Sequence, residues 1–175
     1  IGIYHLALFL LRTKDRSPLL LALFTFLMAL RILVQGEHLL LNFIPDIPFE
    51  VHVKLNYLTF YMAVPLFAIF FRSLFPDEFS KKVIAAIVAV YGAFSLLVIA
   101  APARIFTHTF LFCEAMTIVV CLYLAAVAVL AAVRKRSEAR TSLVAFVVLM
   151  ATIVNDMLYG HFLYGMEFLI PLGYL

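Results

Sequence analysis

SLVAFVVLMATIVNDMLYGHFLY, residues 142–164, has the length and apolar character of a membrane-spanning helix. It is apolar for more than a dozen residues and then sets Asn155 and Asp156 side by side. A carboxylate at the centre of a bilayer costs roughly 2.5–3.5 kcal/mol on insertion scales, so it needs a partner or a purpose. Thr152, Asp156 and Tyr159 recur at helical spacing with Asn155 beside them, which gives one polar stripe facing one way. Such a stripe points into a bundle and away from lipid. The expectation is that the rest of the chain supplies that bundle.

The composition agrees. Of 175 residues, 66% are hydrophobic and 13% charged, with a mean hydropathy of +1.13. No soluble core of this length hides so much apolar surface. Apolar runs of about twenty residues follow one another, the length that crosses roughly 30 Å of hydrocarbon. They do not alternate as the strands of a transmembrane barrel do. The predicted fold is an all-α polytopic transmembrane bundle of the seven-helix type, forming a single domain over 1–175. Its helices are placed at 1–11 (partial), 18–38, 53–75, 83–101, 106–133, 141–164 and 168–175 (partial). The chain opens on Ile1 and ends in an unfinished apolar run, so a segment cut from a longer protein is expected. No signal peptide is visible, because residues 1–11 have no basic residues ahead of them.

Within that frame, Ser17 is expected to cap the second helix, with Pro18 at its first position. The connection 37–52 carries Pro45 and Pro48, which forbid a continuous helix. Its apolar content predicts a segment lying at the membrane interface or packed under another domain. Pro65 is a predicted kink, and Ala85, Ala89 and Ala93 form a small-residue ridge suited to close helix contact. Cys113 and Cys121 read as reduced core thiols. A net charge of +3 is too small to suggest nucleic acid.

The distribution of charge is more informative than its total. Ten of the thirteen Lys and Arg follow predicted helices one and five or surround the loop after helix three: Arg12, Lys14, Arg16, Arg72, Lys81, Lys82, Arg134, Lys135, Arg136 and Arg140. The opposite side has Lys54 and Arg104 among Glu37, Asp46, Glu50 and Glu167. The positive-inside rule then places the N-terminal side out and the C-terminal side in. With that orientation, Arg31 and Asp156 each lie about fourteen or fifteen residues, roughly 20 Å, from the inner ends of their helices. Glu114 lies some 10 Å below its outer end, and Asn56, Tyr57 and Tyr61 come close to the same level. One cation and two acids in a shared layer can neutralise one another and satisfy the five donors of Arg31. The layer is a structural lock, a ligand pocket or switch, or part of a transport path. Its candidate residues are Arg31, Glu114, Asn155, Asp156, Tyr159, Asn56 and Tyr57.

The order of parts resembles the membrane region of bacterial seven-transmembrane receptors with diverse intracellular signalling modules. The resemblance is carried by Tyr4-His5, Leu8-Phe9-Leu10 and the basic loop, then by 27–31, Gly36-Glu37, 43–48, 71–80 and 155–159. It implies a bacterial inner-membrane location and an extracytoplasmic sensory domain upstream, often of a jelly-roll carbohydrate-binding type. Downstream it implies a cytoplasmic output module such as a histidine kinase, nucleotide cyclase or phosphatase. The bilayer and a second copy of the chain complete the expected partners, and no catalytic residue carries over from the family.

Enzyme chemistry finds little support in the residues themselves. Ser95 with Gly92 is a poor match to an intramembrane protease, and the five histidines do not pair at depth as haem ligands would. No Gly-rich phosphate loop and no Cys/His metal spacing occurs, so neither cofactor nor metal is expected. A small-molecule transporter or channel subunit is the competing reading. It calls for internal repeats or broken helices, and no convincing repeat is seen.

Overall fold

The computed structural model describes residues 1–11, 15–35, 40, 43–134, 144 and 146–148. Its elements are α1 (Gly2–Leu11), α2 (Ser17–Gln35), α3 (Phe49–Leu74), α4 (Lys81–Ala100), the single turn α5 (Ala103–Phe106), a 3-10 turn (Thr107–Thr109) and α6 (Phe110–Val133). Among the described residues there is no strand, and the all-helical architecture expected from hydropathy is the one observed. Four stretches are long and apolar enough to cross a membrane: Ser17–Val34, Phe49–Leu74, Lys81–Ala100 and Ala103–Val133.

The helix ends follow from local chemistry. Ahead of α2 the cap is the Asp15 carboxylate, which accepts the Ser17 backbone N–H at 3.0 Å and the Ser17 hydroxyl at 2.8 Å. The expected serine cap is corrected here: Ser17 is already the first helical residue, and an ionised acceptor two positions back takes its donors. Helix α3 starts directly after Pro48, whose extended backbone (φ −58°, ψ 136°) leaves its carbonyl to accept the N–H groups of Val51 and His52. It runs through Pro65 to Leu74, and Pro76 then prevents continuation. Pro102 likewise holds Ala101 extended and stops α4.

The chain forms two compact units, Ile1–Leu124 and Ala125–Leu175. In the first, consecutive helices pack in chain order: α1 on α2, α2 on α3 and α3 on α4, with α5 against both α3 and α4. Gly2 allows the close approach of α1 to α2, since a Cβ there would stand 3.0 Å from Thr25 Oγ1 and 3.3 Å from the Phe26 ring. In the second unit, Val127, Ala128, Ala131 and Phe146 are buried among the described residues.

Polarity in the first unit is arranged inside out. Thr59, Glu114 and Thr117 are buried together with Tyr61 and Tyr91, while Leu96, Ile99, Leu111 and Leu122 are exposed. Water would reverse that arrangement, whereas lipid accepts it, because tails solvate the leucines and neighbouring helices satisfy the hydroxyls. On α4 the buried face is Ile84, Ile87, Tyr91 and Val98. The alanine ridge predicted for close packing is turned outward instead, with Ala85, Ala89 and Ala93 all exposed and nothing within 4 Å of a Cβ built on Gly92. The larger side chains fill the space between helices, and Tyr91 brings a hydroxyl that needs a partner inside.

Candidate functional site

Among the described residues, polar side chains are engaged at three places inside the first unit, two of them joined by a wall of aromatic rings. The first lies between α2 and α3. The Arg31 guanidinium donates from Nη1 to the Asn56 carbonyl at 3.5 Å and sits 5.1 Å from the centre of the Phe60 ring. A delocalised, weakly hydrated cation suits an aromatic face, and away from water the contact is worth about 2 kcal/mol. The same Asn56 carbonyl accepts the Thr59 hydroxyl at 2.9 Å, so Asn56 contributes its backbone to the cluster.

An aromatic wall continues from there. Phe60 packs against Phe110, and Tyr57 meets Phe106, Phe110 and Tyr61 edge to face. These arrangements match the ring quadrupoles and hold α3 against α5 and the start of α6. Tyr61 carries the wall to its second polar point, where its hydroxyl lies 3.2 Å from Thr109 Oγ1. Thr109 in turn donates to the Phe106 carbonyl at 2.6 Å, which anchors it in the 3-10 turn.

The third meeting place joins α4 to α6. Tyr91 Oη and Thr117 Oγ1 are 2.7 Å apart, and the Thr117 hydroxyl also lies 2.8 Å from the Cys113 carbonyl. The Tyr91 hydroxyl lies 3.4 Å from that same carbonyl. Two hydroxyls and one carbonyl thus form a closed set within the bundle. Glu114 is 6% exposed and follows Cys113 directly in the sequence of α6. It lies one helical turn, about 6 Å, beyond Phe110, which itself touches the ring under Arg31.

Of the residues singled out by sequence, the structure brings Arg31 to Asn56, sets Tyr57 in the aromatic wall beside them, and buries Glu114 about one turn further along. Asn155, Asp156 and Tyr159 lie outside the described residues. Phe60, Tyr91 and Thr109 were not among the candidates. Tyr91 had a signal available, as the one ring hydroxyl in a run that is otherwise apolar from Val83 to Phe94. Ser95 donates to the Tyr91 carbonyl at 2.8 Å, so its hydroxyl is engaged by its own helix. Cys113 and Cys121 are free thiols. Among the described residues, no three of His, Cys, Asp and Glu gather to hold a metal ion.

Membrane-length helices with lipid-type exteriors, joined inside by hydroxyls and one guanidinium, define a polytopic helical membrane protein. The chain belongs to the 7TM diverse intracellular signalling family, whose match covers residues 1–175. No curated protein and no solved structure matches it.

Proposed function

We propose that this chain is the membrane transducer of a bacterial receptor, working as one seven-helix bundle in the inner membrane. It would couple an extracytoplasmic sensory domain, or a ligand in the outer half of the bundle, to a cytoplasmic output domain. The observation that carries the reading is membership of a signalling family over the whole chain. The ten-to-two distribution of basic residues between the two sides supports an orientation with the N-terminal side out and the C-terminal side in. Hydroxyl pairs between helices support the mechanism, since each is a contact that two packings would make differently. A stimulus with unequal affinity for those packings shifts their populations.

The test measures output from the full-length receptor carrying Tyr91→Phe, Thr117→Val or Arg31→Gln, beside the stability of each protein in detergent. Output fixed high or low in a folded variant supports the transducer reading. Normal stimulus response in all three variants overturns it in favour of an inert anchor.

A further inference from the structure

The outer connection exposes bulky apolar side chains where α3 begins. Phe43 is 76% and Phe49 79% exposed, and Ile44 and Val51 are exposed beside them. Their depth can be fixed from two helices. Lys54 Nζ donates to the carbonyl of Ile99 at 3.4 Å, one residue from the end of the 20-residue α4. Twenty residues of helix span about 30 Å, which matches the hydrocarbon thickness, so Lys54 marks its edge. On α3 the stretch between Lys54 and Arg72 holds no charge and is about 26 Å long, which agrees. The five residues before Lys54 therefore project about 7.5 Å past the hydrocarbon.

That distance places Phe49 and Val51 within the headgroup layer, which extends about 5–7.5 Å past the hydrocarbon on each side. Pro45 and Pro48 turn the chain there, and the Ile44 backbone N–H donates to the Leu40 carbonyl at 2.9 Å. Asp46 and Glu50 are exposed on the same segment, and Glu50 pairs with Lys54 at 3.1 Å. Charges that remain hydrated next to exposed phenylalanines are the composition of an interfacial segment. We infer that Phe43, Ile44, Phe49 and Val51 form a membrane-interface anchor, inserted among the lipid headgroups and upper acyl carbons at the Phe49 end of α3. The anchor fixes the height of α3 in the bilayer. It concerns lipid contact alone and does not depend on what signal the protein carries.

The chain contains no tryptophan, so one introduced indole reports alone. Phe43→Trp, Phe49→Trp and, as a deep reference, Met62→Trp (52% exposed on the same helix) are reconstituted in phosphatidylcholine vesicles. The lipids carry bromine either near the headgroup or deep in the acyl chain, and iodide serves as the aqueous quencher. The expected result is that Trp at 43 and 49 loses more emission to shallow than to deep bromine, with little loss to iodide. Met62→Trp should show the reverse bromine order. Strong iodide quenching without bromine quenching at 43 and 49 would mean a solvated loop and overturn the inference. Protection from both quenchers would mean protein covers the patch, and overturns it equally. Val51→Trp, read in the same way, decides if either phenylalanine variant fails to reconstitute.

Discussion

Tyr91 on α4 and Thr117 on α6 hold their hydroxyl oxygens 2.7 Å apart inside the bundle, and the Cys113 carbonyl lies within reach of both. Neither oxygen faces lipid, where a lone hydroxyl would go unsatisfied. The pair is therefore a point at which two membrane-spanning helices are fixed in register.

Tyr91→Phe and Thr117→Val should each destabilise the protein, and the two losses should not add. Hydrogen bonds between membrane helices couple by about 0.6 kcal/mol on average and up to about 1.7. A double-mutant cycle on unfolding in detergent measures the coupling. Strictly additive losses would show that the hydroxyls do not act on each other.

Arg31 and the acids at 114 and 156 separate a lock from a switch. If Arg31 and Asp156 form a structural layer, Asp156→Asn takes the counter-charge from a half-buried guanidinium, at a cost of up to about 3–5 kcal/mol. Adding Arg31→Gln should then recover much of the loss. If the layer is a switch, the single variant folds and its output is stuck. Small additive effects would leave Glu114 as the partner to test. Phe60→Leu, which removes the ring beneath the guanidinium, should cost about 1–2 kcal/mol in either case.

Reporter fusions test orientation. Those placed after Lys82 and after Arg136 should behave as cytoplasmic, and those at Asp46 as exported. Exported activity from the fusion at Arg136 contradicts the topology and the transducer reading with it.

The outward alanine ridge of α4 makes an opposite kind of prediction. Ala89→Leu and Gly92→Ala should change stability by no more than about 0.5–1 kcal/mol, because lipid tails accommodate the added carbons. A marked loss, or a change from dimer to monomer in detergent, would place a second copy of the chain on that face.

At the other end of α4, Phe79 is buried edge-on against Tyr123, and the Tyr123 oxygen accepts the Ser80 backbone N–H at 3.1 Å. Phe79→Ala should cost about 3–5 kcal/mol as a large aromatic deletion. Tyr123→Phe should cost no more than about 1 kcal/mol, since water can reach the exposed Ser80 amide. Equal losses from the two would show that the hydrogen bond, not the ring, holds the turn.

What could be read from sequence follows from what each signal encodes. Hydropathy reports length and lipid solubility, so the membrane-length helices were legible, and prolines 76 and 102 marked where α3 and α4 end, while the start of α3 lies at Phe49, four residues ahead of the expected 53. The direction in which a helix faces is encoded more weakly. Alanines at four-residue spacing suit a close contact and a lipid face equally, and on α4 the bulk of Ile84, Ile87 and Tyr91 chose between them. Arg31 stood out by its charge, but a backbone carbonyl and a phenyl ring have no charge pattern by which to be found. Tyr91 was overlooked because one ring hydroxyl hardly lowers the hydropathy of its run.

The inside-out polarity has a consequence for how the protein is made. Helix α6 carries Glu114 into the membrane, and a carboxylate there weighs against insertion of the helix by itself. A charged side chain at mid-membrane costs roughly 2.5–3.5 kcal/mol, and less near the ends. The 12 Leu, Ile, Phe and Val residues of the same helix favour insertion. At about 0.3–0.6 kcal/mol each, they contribute up to about 4–7 kcal/mol. The helix can therefore insert on its own merits, and the hydroxyls and the buried acid find their partners afterwards, by lateral association within the bilayer.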